Sequence, residues 1–207
     1  MPSATVHLKI AYMMKGELGI KNEAEFLMGA IAPDAVNLEG YASEQERYSA
    51  HIRSKDYGRW KENIRNFYND IKYNFSGDDD FLKGYIFHLY TDIAWDEAVQ
   101  PFLFDFLKSQ GYSQEQFKEQ KWRELFRLNY MLSKQDWYGE VILKLTDAIC
   151  YGMAGVSAEL MERYRDYIIG GYERDKMISE TPEFLNESFI LAAALKASEY
   201  FNDLIIK

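Results

Sequence analysis

The spacing of apolar residues is helical along nearly the whole chain, and this restricts the fold more than any other feature of the sequence. Extended alternation of apolar and polar residues, which marks half-buried strands, is scarce. Only four of the 207 residues are proline, so few positions forbid a helix. The sequence therefore predicts an all-α fold, a bundle of many helices without an internal repeat or an obvious linker.

The composition is that of a chain that buries a core. Apolar residues make up 47% of the sequence and aromatic residues 16%, which is well above the level of disordered chains. A chain of this length suits one domain. We therefore expect residues 1–207 to form a single all-helical domain, with the elements of a metal site in residues 1–100.

Short polar segments mark where individual helices should begin. Asn22, with Glu25 three residues later, resembles a capping box, and Pro33 cannot continue the helix that they begin. The chain should therefore turn at Pro33-Asp34. Thr181-Pro182 has the composition of a helix start, so we expect the final helix to begin there. Further helices are predicted to begin near Asp56, Asp78, Pro101, Ser113, Asp136 and Ser157.

The chain has three histidines, and the last of them, His88, lies in the segment GYIFHLYTDIAWDE. On a helix His88, Asp92 and Asp96 lie one turn apart and project an imidazole and two carboxylates along one stripe. Such a stripe is costly to bury unless its charges are paired or bind a cation. Gly84, one turn earlier, leaves room for a ligand or for another backbone. This segment is the first place to look for function.

Each candidate residue also has a purely structural interpretation. Asp92 could simply orient His88 or pair with it, because such pairs are common on helices. His7 lies on the apolar side of the first helix, where a lone histidine is more often a hydrogen-bonded core residue than a ligand. Asp34 follows a proline at a helix end, where aspartate usually caps or turns the backbone. His51 could be a surface residue.

Taken together, the same residues supply the mixture of imidazole and carboxylate that Zn²⁺ favours. The set consists of His7, Asp34, His51, His88 and Asp92. Competing motifs are missing from the sequence: it has no Glu-x-x-His pair for a di-iron site, no adjacent His-Asp dipeptide, no His-Glu-x-x-His, no P-loop and no Gly-x-Ser-x-Gly.

The order of these elements resembles the zinc-dependent phospholipase C family, whose all-helical fold is shared with single-strand-specific zinc nucleases. The elements are His7, GAIAPDA with Asp34, His51, and GYIFHLYTD with His88 and Asp92, so the resemblance covers the first hundred residues. It implies that the five residues hold two neighbouring zinc ions, that Asp92 bridges them, and that the chain hydrolyses phosphoesters. Asp34 and Asp92 would then act in catalysis as well as in metal binding, with Asp34 steering the nucleophile.

The sequence departs from the family in two places. The characterised enzymes also use a mature N-terminal tryptophan as a ligand, whereas this chain begins Met1-Pro2 and has no tryptophan before Trp60. They bind a third zinc through later histidines and a glutamate, but no histidine follows His88. Asp96 remains a further candidate ligand. We expect one or two zinc ions, and no third site.

The net charge of the chain affects which class of molecule it can bind. With 24 basic and 33 acidic residues the net charge is -9, which disfavours binding to a nucleic-acid backbone. We expect a small phosphoester or a phospholipid head group as substrate. No apolar run approaches the roughly 20 residues of a membrane span, and residues 1–16 lack the pattern of a signal peptide, so we expect a cytoplasmic protein. Cys150 lies in an apolar stretch and should be a buried, inert thiol.

Three other functions stay open. A helical metal-binding or regulatory protein without turnover is favoured by the missing tryptophan and the missing third site. A single-strand nuclease would need aromatic residues beside a positive groove, and basic clustering is sparse. A lipid-facing enzyme fits the aromatic content, although no helix has a strongly basic polar face.

Overall fold

A computed structural model describes residues 1–40, 42–171 and 178–205, and in these residues the prediction of an all-α, multi-helix bundle is confirmed. The bounds are α1 Ala4–Met14, α2 Glu23–Gly29, the 3₁₀ helix η1 Ala32–Asn37, α3 Glu44–Ala50, α4 Tyr57–Ile71, α5 Asp79–Ala98, α6 Gln100–Ser109, α7 Gln114–Ser133, α8 Asp136–Asp147, α9 Ala158–Ile169 and α10 Glu187–Ile205. Bridged extended backbone in the described part is limited to the antiparallel pair Met153 and Val156.

Helix α5 is the central element of the bundle. Its residues 84–96 are all buried, which is typical of a helix that is covered on every side. Its largest contacts are with α2 and with α10, and α1, α4, α6 and η1 also touch it. The polar residues of α5 therefore lie inside the core, where an unpaired charge is costly.

Helices α2 and α5 cross at two glycines. A Cβ atom on Gly84 would lie 2.1 Å from the carbonyl oxygen of Phe26, and one on Gly29 would lie 2.2 Å from the carbonyl oxygen of Phe81. Only glycine allows backbones to approach this closely. Gly84 thus leaves room for another backbone, one of its two predicted roles, and the contact brings the end of α2 next to His88.

Several predicted helix starts are confirmed by their caps. The side chains of Ser113 and Gln116 form a capping box at the start of α7. Asp78 caps α5 by accepting a hydrogen bond from the backbone N–H of Asp80, and Ser157 caps α9 by accepting one from Leu160. These starts depend only on residues within one turn of each other, which is why the sequence reveals them.

The predicted start of the last helix at Thr181-Pro182 is wrong, because α10 begins at Glu187. The carboxylate of Glu124 on α7 accepts hydrogen bonds from the backbone N–H groups of residues 183–185. These N–H groups are satisfied by a distant side chain while the segment stays non-helical, so the helix begins later.

The predicted capping box at the start of α2 does not form. Asn22 makes no side-chain cap, and its backbone N–H instead donates to Asp80 of α5 at 2.7 Å. The predicted turn at Pro33-Asp34 is a 3₁₀ helix, η1. This short helix follows α2 directly and carries Asp34 into the buried interior.

Two further expectations concern burial. Cys150 is buried, as predicted, and this burial raises the pKa of its thiol to about 11, so that it stays protonated at neutral pH. Among the helices of the described segments, none combines the length and apolar character that crossing a bilayer requires.

Candidate metal centre

Five of the six predicted metal ligands come together from four separate elements. His7 comes from α1, Asp34 from η1, His51 from the residue after α3, and both His88 and Asp92 from α5. Their ligating atoms form two groups, each with all atoms within 4.8 Å of one another: His7, His88 and Asp92 in one, and Asp34, His51 and His88 in the other.

The polar atoms of this cluster are buried and lack hydrogen-bond partners. His7, His51, His88 and Asp92 are at most 1% exposed. Both ring nitrogens of His7, the Nε2 atoms of His51 and His88, and both carboxylate oxygens of Asp92 make no hydrogen bond. Each buried polar atom without a hydrogen-bond partner destabilises a fold by about 1–3 kcal/mol, so native proteins contain few of them. Their convergence at one point fits a bound cation. It also excludes a hydrogen-bonded core role for His7 and a surface position for His51.

Backbone carbonyls orient two of the imidazoles. Nδ1 of His88 lies 2.8 Å from the carbonyl oxygen of Ala30, and Nδ1 of His51 lies 2.9 Å from that of Arg47. A carbonyl oxygen can only accept, so each Nδ1 must carry the proton and donate it. In the neutral ring the Nε2 atom then has a free lone pair that faces the cluster, which is the usual arrangement of metal-binding histidines.

The separations between these atoms suit a shared ion better than direct hydrogen bonds. Asp92 Oδ1 lies 3.4 Å from His7 Nε2, and Asp92 Oδ2 lies 3.7 Å from Nε2 of both His51 and His88. Asp34 Oδ1 lies 3.4 Å from His51 Nε2. Good N–H···O bonds are about 2.7–3.2 Å long. Two ligand atoms about 2.1 Å from one tetrahedral zinc ion lie about 3.4 Å apart.

The two groups differ in the number of ligands they can offer. His88 belongs to both, but its one free nitrogen can serve only one ion, whereas the two oxygens of Asp92 can serve two. A first ion could therefore take Asp34, His51 and His88, with Asp92 Oδ2, which lies 3.7 Å from the Nε2 atoms of the two histidines, as a fourth ligand. A second ion near His7 would have only His7 and Asp92 Oδ1 from the protein, and would keep open positions.

Electrostatics keeps His88, Asp92 and Asp34 in the protonation states that metal binding requires. Burial lowers the pKa of His88 to about 3, and His7 adds to this shift. Burial opposes ionisation of Asp92, but the three surrounding histidines outweigh it and hold its pKa well below the ordinary value. The pKa of Asp34 is lowered in the same way against its own burial.

Asp96, the sixth predicted ligand, lies outside both groups. Its Oδ1 accepts a hydrogen bond from the amino group of Met1 at 3.0 Å. Its Oδ2 lies 3.5 Å from Arg53 Nη2 and 3.4 Å from the hydroxyl of Tyr57. Each step of four residues advances about 40° beyond a full turn of an α-helix, so two steps carry Asp96 about 80° away from His88.

The sequence did not reveal the groups that surround the ligands. The carbonyl of Ala30 carries no side-chain signal at all. Arg47, whose carbonyl orients His51, lies one helical turn before it in the segment ERYSAHIRS. This spacing was the signal from which the contact could have been predicted. Tyr85, Tyr90 and Trp95, the aromatic neighbours of His88 and Asp92 on α5, are buried in the core.

Comparison of the chain with protein-family models, with curated proteins and with solved structures finds no match. The resemblance to the zinc-dependent phospholipases C stays a prediction based on the residues quoted above.

Proposed function

We propose that the chain is a zinc-dependent hydrolase of phosphoesters. The metal would be held by His7, Asp34, His51, His88 and Asp92. The observation that supports this most directly is the set of buried, unpaired nitrogen and oxygen atoms that these residues turn toward one another. Imidazole with carboxylate is the donor set that Zn²⁺ prefers, and without thiolate ligands it is also suited to catalysis.

Zinc, when bound, supplies Lewis acidity that polarises a phosphoester and activates water near neutral pH. The protein supplies the rest. Asp92 holds negative charge between the three imidazoles, and the carbonyls of Ala30 and Arg47 fix two of those rings. Asp34 is the most exposed of the five residues, at 9%, and its lowered pKa keeps it ionised at neutral pH. It is the carboxylate best placed to accept a proton from an incoming water.

Phosphoester hydrolysis is preferred over other hydrolytic reactions for two reasons. Asp92 has one oxygen near His7 and the other near His51 and His88, so it would help to hold two cations, which together would clamp a phosphoryl group. The order of the ligands along the chain also resembles that of the zinc-dependent phospholipases C. A phosphate or diester carries the negative charge that such a centre attracts.

A second candidate function is metal binding without turnover, in a structural or regulatory role. Four of the five residues are at most 1% exposed, and the first ion could be enclosed by four protein ligands. A closed shell of this kind is typical of structural zinc.

Zinc binding and turnover can be separated experimentally. We would load the purified protein with zinc, measure bound metal by elemental analysis, and assay 4-nitrophenyl phosphate, bis(4-nitrophenyl) phosphate, dispersed phospholipid and single-stranded DNA. Asp92→Asn should lose zinc and activity, whereas the matched control Asp96→Asn should keep its zinc. Bound zinc without turnover on any substrate would favour the second candidate. A wild-type protein that binds no zinc would exclude both.

A further inference from the structure

A cavity of ≈ 220 Å³ lies beside the candidate metal centre. Its walls are formed by Met1, Glu44, Arg47, Tyr48, His51 and Arg53. His51 belongs both to this cavity and to the cluster of ligands, so the cavity borders the metal centre. The volume is below the roughly 300–1,000 Å³ of pockets that enclose drug-sized ligands, and it suits a small group.

Arg47 presents an unused positive charge to this cavity. Its Nε is shielded from solvent and has no hydrogen-bond partner, and among the described residues no carboxylate pairs with its guanidinium. Arginine stays charged at all physiological pH values, and the buried Nε–H of Arg47 needs an acceptor. Glu44, the acidic residue of the cavity wall, lies 3.9 Å from Lys55 instead. Among the described residues Arg47 therefore has no anionic partner, and a bound anion could supply one.

Arg53 is held at the same cavity by contacts with Trp60 and Asp96. Its guanidinium lies over the ring of Trp60, 4.7 Å from the centroid, and 3.5 Å from the carboxylate of Asp96. Trp60 is itself fixed, because its Nε1 donates to the carbonyl of His51 at 2.8 Å. A planar, stacked guanidinium is a preorganised donor for phosphate oxygens.

The backbone between His51 and Arg53 is strained. Ile52 has φ = 49°, a left-handed conformation that is uncommon for a β-branched residue and costs about 1–2 kcal/mol. The strain closes the end of α3, where the N–H of Arg53 donates to the carbonyl of Tyr48 at 2.8 Å. Strain of this kind persists where it positions functional groups, and here it sets His51 and Arg53 on the same cavity.

We propose that this cavity selects the substrate, and that the substrate is a small phosphomonoester whose anionic oxygens are bound by Arg47 and Arg53 next to His51. This inference rests on the proposed hydrolase function. A monoester phosphate carries about two negative charges near neutral pH, which matches two guanidinium groups, whereas a diester carries one and a zwitterionic head group has no net charge. The charge and the small volume together favour a monoester over a lipid head group.

The test measures binding of inorganic phosphate to the zinc-loaded protein by isothermal titration calorimetry, with zinc content determined in every sample. Arg47→Gln should keep its zinc and lose about tenfold to a hundredfold in phosphate affinity, the usual effect of removing a charge-assisted hydrogen bond. Arg47→Lys should recover part of the loss. Arg59→Gln, which removes an exposed arginine of α4, is the matched control and should bind phosphate like the wild type.

A second readout is the selectivity between substrates. Arg47→Gln should lower kcat/KM for 4-nitrophenyl phosphate at least tenfold more than for bis(4-nitrophenyl) phosphate. If Arg47→Gln does not fold, Arg53→Gln decides the question with the same expected losses. Wild-type phosphate affinity and unchanged selectivity in a zinc-bearing Arg47→Gln protein would overturn the inference and leave the metal centre standing. Absence of zinc from the wild type would instead overturn the proposed function and this inference with it.

Discussion

The imidazole rings of His7 and His88 are stacked, with centroids 3.8 Å apart and planes inclined by 9°. Neither ring has a hydrogen-bond partner for its Nε2. Two imidazolium ions could not occupy such a buried stack: burial, and then the neighbouring His7, lower the pKa of His88 to about 3. The pair therefore faces Asp92 with at least one ring neutral, as a metal ligand requires.

The first prediction concerns the order in which ions are lost. His51→Ala removes a ligand of the four-residue set, so it should abolish the tighter zinc ion. His7→Ala removes one of two protein ligands of the other ion, so it should abolish only the weaker one. Zinc titration against a chromogenic chelator would resolve the two affinities. Equal losses in the two variants would contradict the assignment.

The second prediction links zinc to stability. Free zinc at about 1,000 times its dissociation constant should stabilise the folded protein by about 4 kcal/mol. For a chain of this size that corresponds to a rise in Tm of about 8–16 °C, measurable by differential scanning calorimetry with and without chelator. His88→Ala removes a ligand of the tighter ion, so its Tm should rise much less with zinc than that of the wild type. A full response in that variant would mean that zinc binds elsewhere.

Structural features that depend on residues close together in the sequence can be predicted from it, whereas features that depend on distant residues cannot. Local signals such as the Ser113–Gln116 capping box predict helix starts correctly. The start of α10 was predicted wrongly, because Glu124, which is distant in sequence, accepts hydrogen bonds from the preceding backbone N–H groups. The end of α8 at Asp147 also involves a distant residue, because the neighbouring carbonyl of Ala148 accepts a hydrogen bond from Arg165 of α9.

The candidate site follows the same rule. The pair His88 and Asp92 was predictable, because one helical turn separates the two residues. The convergence of His7 and His51 on that pair could be expected only from the resemblance to a family, since no local pattern brings three helices together. Asp96 does not share the stripe of His88 and Asp92, because the twist of the helix carries it toward Arg53.

The third prediction tests the close crossing of α2 and α5. Gly84→Ala places a methyl group against the backbone of Phe26, so the free energy of unfolding should fall by about 1–3 kcal/mol. The displaced α2 would also move the carbonyl of Ala30 away from His88, so zinc affinity should fall about tenfold to a hundredfold. Urea denaturation and zinc titration would measure the two effects.

The matched control for that substitution is Gly139→Ala. Gly139 lies inside α8, and a Cβ there meets nothing within 4 Å. Alanine should therefore raise the free energy of unfolding by about 0.5–1 kcal/mol through its helix propensity, without changing zinc affinity. Similar behaviour of the two alanine variants would show that the crossing is not tightly packed.

The fourth prediction concerns pH. Burial raises the pKa of Cys150 to about 11 in the folded protein, against about 8.5 for an exposed thiol. Between these values the native state keeps a proton that the unfolded state has lost. The contribution of Cys150 to stability is thus complete below about pH 8.5 and is lost as the pH rises toward 11. The free energy of unfolding should fall more steeply over this range in the wild type than in Cys150→Ala; equal slopes would refute the shift.

The central claim is that the buried histidines and aspartates hold zinc, and anomalous diffraction at the zinc edge tests it most directly. Crystals grown with zinc should give a strong anomalous peak within ligand distance, about 2.0–2.2 Å, of Asp34, His51, His88 and Asp92. A weaker peak is expected beside His7. Zinc only at surface positions, with no anomalous peak among these side chains, would contradict the account.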